Sequence, residues 1–351
     1  MTAIVNRAAT GGPEVLHGEG LYLKRPRAMR ALALALLSCV VTLSWAAAEE
    51  WPTKPIRIIV PAPPGAITDG VARLIGEQLR DHLGQPVIID NKPGGSAVIA
   101  ERAMIGAPAD GYTLMVAPSS VWTDFPFSVK TPFDPHKTFT YVADMASMVH
   151  VLVASNSYAP NKPQEILDHA RRNRNTVSVA NMSTGTRSNL LGDLLSEKSG
   201  RNILVVPYKG SAPVLVDLMG GQVQLTFDVI SNVAPLVKAG KIKGLGIVSA
   251  TRSPHLPDVP SFAELGMADL VMPDASVGVF ILSSTPPAMG ERIRREMEKV
   301  MRAPRFRERM AAQGYDQPRE STFAQLQKQM ADTVEQNRQI LLKLKMPTTP
   351  Q

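Results

Sequence analysis

From residue 56 onward short apolar runs punctuate the chain, each followed by a turn and then by a stretch with helical spacing. "IRIIV" (56–60), "PVIID" (86–90), "YTLMVA" (112–117), "HVLVAS" (150–155), "TVSVA" (176–180), "NILVV" (202–206), "QLTFD" (224–228), "KGLGIVSA" (243–250) and "VGVFIL" (277–282) read as strands. Most are continuously apolar rather than alternating, as expected of strands covered on both faces. Between them, Val71, Leu74, Ile75 and Leu79 mark one helical face, and Leu190, Leu191, Leu194 and Leu195 another. Strands alternating with helices predict an α/β fold with largely parallel sheets. After "STPP" (284–287) the pattern turns wholly helical, ending in a stretch from Thr322 to about Leu344. There Phe323, Leu326, Met330 and Val334 recur every three or four residues, a packing stripe and not a cofactor box.

The first 48 residues follow another rule. Arg30, the apolar run from Ala31 to Leu43 and the small triplet Ala46-Ala47-Ala48 before Glu49-Glu50 have the order of a secretory signal. The run is shorter than the roughly 20 residues needed to span a bilayer. Translation is expected to start at Met29, with 1–28 a non-translated or disordered extension, 29–48 the signal, and Glu49 the first residue of a periplasmic protein. Cys39, the one cysteine, invites a lipoprotein reading. That reading would leave "VVTLSWAAA" as an apolar head where a polar tether belongs, so loss of Cys39 with the signal is expected. A mature chain without thiols depends on its apolar core.

Removal of residues 1–48 takes away five Lys/Arg and two Glu, so the formal charge falls from +7 to +4. No basic block with interleaved aromatics accompanies that excess, and nucleic acid is not an expected partner. The roughly 300 remaining residues suit one large domain or two lobes. No G-x-S-x-G, G-x-x-x-x-G-K-[ST] or H-E-x-x-H occurs. His82, His136, His150, His169 and His255 stand far apart, with no second ligand at metal spacing. No metal or cofactor is expected.

One unit recurs: a strand, a turn rich in Gly, Pro, Ser or Thr, then a helix start. It appears at "PAPPGAITDG" (61–70), "DNKPGGSAVIAERA" (90–103), "ANMSTGTRSNLLGDLL" (180–195), "PYKGSAPVLVDLMGG" (207–221) and "FDVISNVAPLVKAG" (227–240). A helix start carries unpaired N–H groups and the positive end of the macrodipole, which suits a small anion. Taken singly, each turn is a capped helix. Taken together, with hydroxyls at Thr68, Ser96, Ser183, Thr184, Thr186, Ser188 and Ser211, the turns predict an anion-binding cleft at the C-terminal edge of the sheets.

The order of these turns resembles a known family. "WPTKPIRIIVPAPPGAITDGVARLIGEQLRDHLGQPVIIDNKPGGSAVIA", "ADGYTLMVAPSS", "PFDPHKTFTYVADMA", "VPYKGSAPVLVDLMGGQVQLTFD", "AGKIKGLGIVSATRSPHLPDVPSFAELGM" and "TPPAMGERIRREMEKVMRAPRFRERMAAQGYD" resemble, in register, the tripartite tricarboxylate transporter substrate-binding proteins, or Bug receptors. The resemblance implies a type II periplasmic binding protein: two α/β lobes joined by two crossovers. Lobe 1 would take 49–150 and 275–351, and lobe 2 would take 151–274. It also implies two opposing turns that grip a carboxylate, with Gly65, Ala66, Ile67, Thr68 and Asp69 on one side. Ser183, Thr184, Gly185, Thr186, Arg187 and Ser188 stand on the other, and Ser119 and Asp228 complete the expected ligand set.

The family pattern is broken at Ala66 and Ser183, where glycines are usual, at Asn189 in place of a histidine, and at Ser276 near a customary tryptophan. These changes reshape the cleft, so no relative's ligand transfers to it. Arg187 reads either as a solvated side chain in a helix's first turn or as a bidentate clamp for a second carboxylate. Asp69 reads as a helix-start residue or a ligand contact. Asp228 could accept from a ligand or cap the next turn. The function implied is an extracytoplasmic receptor, monomeric and not an enzyme, that delivers a small carboxylate to permease subunits. The alternatives are a sensor without a dedicated permease and a secreted hydrolase.

Overall fold

Among the described residues ten strands alternate with helices: β1 Ile56–Val60, β2 Val87–Asn91, β3 Thr113–Pro118, β4 Phe139–Met148, β5 His150–Ser155, β6 Val177–Asn181, β7 Ile203–Pro207, β8 Leu225–Val229, β9 Ile242–Ile247 and β10 Ala275–Leu282. The computed structural model describes residues 51–128, 131–182, 185–316 and 321–343. Residues 1–28, the expected signal 29–48 with Cys39, and Ser183 and Thr184 lie outside them. All nine apolar runs are strands, with ends displaced by up to three residues. The tenth strand, β4, lies in a stretch that carries no continuous apolar run.

The strands form two five-stranded sheets of the same design. The first has the order β2-β1-β3-β10-β4 and the second β7-β6-β8-β5-β9. In each, the first three strands are parallel, and the fourth runs antiparallel to both neighbours. The sheets are therefore mixed, with parallel pairs confined to the half of each sheet that carries the strand-turn-helix units. The antiparallel strands β5 and β10 are fully buried apolar runs, which periodicity alone does not distinguish from parallel ones. The chain leaves the first sheet after β4, enters the second at β5, and returns to the first at β10.

Four helices open on the glycine-containing turns: α1 Ile67–Leu83, α2 Val98–Ile105, α3 Arg187–Lys198 and α4 Ser211–Met219. Helix α1 buries Val71, Leu74, Ile75 and Leu79, the stripe expected from its spacing, and ends on Gly84 in the left-handed region with its N–H on Arg80 O. Each such buried aliphatic side chain contributes about 1.5–3 kcal/mol. Two further helices bear on the site, α5 Ile230–Lys238 and α6 Phe323–Lys343. The first sheet packs Ile59, Met115, Tyr141 and Phe280 with Leu326 and Met330 of α6. The second sheet is covered on both faces, by a cluster including Leu191, Phe227 and Phe262 and by another including Val214 and Val233. Leu341 of α6 and Phe127 join the former. The final helix thus packs on both sheets.

Candidate ligand-binding site

The turn at 61–66 leaves β1 at its C-terminal end and opens α1. Gly65 has φ +85°, a conformation that costs glycine little, and Ala66 is the N-cap with φ −71° and ψ 161°. Alanine offers no capping hydroxyl, so the cap is made from inside the helix. The Asp69 carboxylate, at the third helical position, accepts Gly65 N–H at 2.8 Å, Arg73 Nε at 2.9 Å and Asn91 Nδ2 at 2.9 Å. Asp69 is 2% exposed. Burial acts to raise its carboxyl, and the donors Arg73, Gly65 and Asn91 outweigh burial and hold it below the usual carboxylate range. Ala66 N–H goes to Pro63 O. The amides of Ile67, Thr68 and Asp69 are first-turn donors with no acceptor among the described residues.

The turn after β6 repeats this geometry. Gly185 has φ +82°, and Thr186 is the N-cap of α3 with φ −74° and ψ 163°. Asn189, again at the third helical position, accepts Gly185 N–H on Oδ1 at 3.0 Å. Its Nδ2 donates to Asp193 Oδ2 at 2.9 Å, and its own N–H reaches Thr186 Oγ1 at 3.4 Å. Ser188 turns its hydroxyl inward onto Phe227 O at 2.7 Å. The amides of Arg187 and Ser188 are the first-turn donors, without acceptors among the described residues. Asn91, Arg73 and Asp193 are absent from the set that the sequence singles out. The i,i+4 spacing of Asp69 with Arg73 and of Asn189 with Asp193 is the signal that could have found two of them.

Arg187 is neither solvated nor free to clamp a ligand. It is 4% exposed, and its Nε and Nη2 hold the two oxygens of Asp124 at 2.9 and 3.1 Å, while Nη1 donates to Pro273 O at 2.9 Å. A cation at a helix N-terminus opposes the macrodipole, and the Asp124 carboxylate compensates it. Asp124 is 2% exposed and also accepts from Thr123 Oγ1 and from Asn337 Nδ2 of α6. This buried cluster ties the second turn to the segment beyond β3, to the chain entering β10 and to the last helix. His150, at the start of β5, is pushed down to about 3, first by burial and then by the Arg187 charge.

Ser119 follows β3 directly and fastens β10 beside it: its N–H donates to Ser276 O at 2.7 Å and its Oγ accepts Ser276 N–H at 3.0 Å. Asp228, in β8, is fully buried and accepts Val229 N–H at 2.7 Å, Asn232 Nδ2 at 2.9 Å and the Ser211 hydroxyl. Burial pushes its carboxyl up against those three donors. Its oxygens therefore join the starts of α4 and α5 from within. No hydrogen bond or ion pair among the described residues joins the first turn to the second. Residues 313–315 lie between α1 and α5: a Cβ on Gly70 would stand 3.4 Å from Gln313 Oε1, and one on Gly314 would stand 3.4 Å from Ser231 Cα. A separate cavity of about 810 Å³, lined by Asp144, Ser147, Arg252, Asp274 and Gln336 among others, includes none of the expected ligand residues.

Comparison with known proteins bears on this arrangement. The family model described as "Tripartite tricarboxylate transporter family receptor" matches residues 71–346. BugT of Bordetella pertussis is 33% identical over 273 residues, which cover 76% of this chain and 82% of BugT. The solved structure of the periplasmic binding protein BugD is 28% identical, with a TM-score of 0.74 over 85% of this chain and 100% of that one. An R. palustris protein solved with adipate is 27% identical, with a TM-score of 0.76 over 84% and 98% of the two chains.

Proposed function

The chain belongs to the tripartite tricarboxylate transporter family of receptors, and from that premise we propose that it takes a small organic carboxylate between the turns at 65–69 and 185–188. The observation that carries the reading is the likeness of these turns. Each ends a parallel strand, each places a left-handed glycine before the helix, and between them they leave the amides of Ile67, Thr68, Asp69, Arg187 and Ser188 available. Micromolar binding requires about 8 kcal/mol, and a hydrogen bond to a charged group contributes roughly 1.5–3 kcal/mol before ordering costs. Five amides brought onto one ligand would reach that range without a charged side chain. Ser183 and Thr184, outside the described residues, remain part of the proposed ligand set.

The adipate bound by an R. palustris relative supports a carboxylate as the ligand class. The two lobes are proposed to divide near the two passages between the sheets, at 150/151 and 274/275, with His150 the first residue of β5. Their closure on the ligand would present the loaded receptor to permease subunits, and the receptor performs no chemistry on what it carries. The signal ending at Ala48 and the description of BugD as a periplasmic binding protein support a periplasmic location.

A thermal-shift screen over mono-, di- and tricarboxylates tests the reading. An acid at a hundred times its Kd stabilises by about 2.7 kcal/mol, so the melting temperature should rise by roughly 5 °C or more. A chain indifferent to every acid, and active on simple esters or amides, would be an enzyme and not a receptor.

A further inference from the structure

The two turns are locked by the same device with the charges exchanged, and we infer that Asp69 and Asn189 are paired positioning residues that set the carboxylate-facing amides. The inference rests on the carboxylate reading above. In both turns the side chain at the third helical position reaches back four residues to the N–H of the left-handed glycine, at 2.8 Å in the first and 3.0 Å in the second. In both, the residue one helical turn further on holds that side chain in place. Arg73 donates to Asp69 at 2.9 Å, whereas Asp193 accepts from Asn189 at 2.9 Å.

The consequence is geometric. A glycine at φ near +80° is free to move, because no Cβ restricts it. Its N–H, once held by the side chain four residues on, fixes the direction in which the chain enters the helix. That direction decides where the next three amides point. The glycine amides are thereby committed to the turn, and the ligand is left to the amides beyond them. The first turn contains a carboxylate yet can face an anion, because Asp69 is 2% exposed and paired with Arg73 and Asn91. The second does the same with a neutral amide backed by a half-buried acid, Asp193, beside which Arg201 acts.

The exchange supplies its own test. Asn189→Asp alone sets a new carboxylate against Asp193, so the side chain can no longer both face Asp193 and hold Gly185. Asn189→Asp together with Asp193→Arg rebuilds, in the second turn, the pair found in the first. Titration calorimetry with adipate at pH 8 should show about a tenfold loss of affinity for Asn189→Asp and recovery to within about threefold for the double variant. Asp69→Ala should lose about tenfold, and Asp69→Asn, which keeps an acceptor for Gly65, should regain most of it. Folding alone would not produce this, because each variant is compared at matched melting cooperativity and the double variant carries more substitutions than the single one it rescues. If the wild-type chain binds adipate while Asp69→Ala and Asn189→Asp bind it equally well, the positioning role is wrong and the carboxylate reading stands. If the wild-type chain binds neither adipate nor any other small carboxylate, both fall together.

Discussion

Arg187 shows how a single residue can be read plausibly and wrongly from sequence. A cation in the first turn of a candidate anion-binding helix invites a clamp, but its partner is Asp124, 63 positions earlier, in a stretch with no pattern to mark it. Removing one member of a buried ion pair typically costs 3–5 kcal/mol, and Thr123 and Asn337 still hold Asp124. Arg187→Ala should therefore cost about 3 kcal/mol in chemical denaturation. Its affinity for a diacid should change by the same factor as for the matching monoacid, and a selective loss of the diacid would restore the clamp. Glu101 of α2 is a second buried charge, 2% exposed, with Oε2 lacking a partner among the described residues. Burial pushes its carboxyl up to about 7. A folded-state value above the unfolded one means that the stability is fully present below about pH 4.5 and is lost as pH rises toward 7, by about 3 kcal/mol in all. Glu101→Gln should consequently lose less melting temperature between pH 4.5 and 8 than the wild-type chain does. Parallel pH profiles would mean that Glu101 is ionised in the fold.

Among the elements, β4 is the instructive omission. Its segment "FTYVADMASM" contains Asp144 and lacks a continuous apolar run, and its pairing with β10 slips register between Val277 and Gly278 and again between Val279 and Phe280. Each irregularity exchanges the faces of the residues beyond it, so the strand follows neither a period of two nor a buried run. Most of the legible runs belong to strands buried on both faces, whereas the edge strands β2 and β7 were legible by apolar content alone, with Ile88 and Leu204 exposed. The strand-turn-helix units were legible for a local reason: a turn rich in Gly, Pro, Ser or Thr after an apolar run marks a helix start. Strand direction was not legible, because it depends on pairing and not on composition. The irregular register also brings Tyr141 over Gly278, where a Cβ would stand 2.1 Å from the Tyr141 hydroxyl. Tyr141 is fully buried and its hydroxyl lies 2.9 Å from Ser276 Oγ. Gly278→Ala should thus destabilise the protein by at least about 1–3 kcal/mol, the usual range for overpacking. A melting temperature within a degree of wild type would show that this contact relaxes freely.

At the scale of the whole molecule the chain builds one design twice. Two mixed sheets of matching strand order present matching turns, and a buried cluster of Asp124, Arg187 and Asn337 fastens one design to the other beside the passages between the sheets. Such a construction suits a ligand held by both turns, since the two amides of the second turn fall short of micromolar affinity alone and the three of the first reach it only at the top of their range, before ordering costs. The closure proposed above would follow from differential affinity: a ligand that contacts both halves favours the arrangement in which both are near. The most direct test observes both turns at once. Amide chemical shifts of the ¹⁵N-labelled chain, monitored while adipate is added to saturation, should move together at Ile67, Thr68 and Asp69 and at Arg187 and Ser188, with a single Kd. Saturable shifts confined to one turn, or centred on the cavity lined by Asp144 and Asp274, would contradict a carboxylate held between the two helix starts.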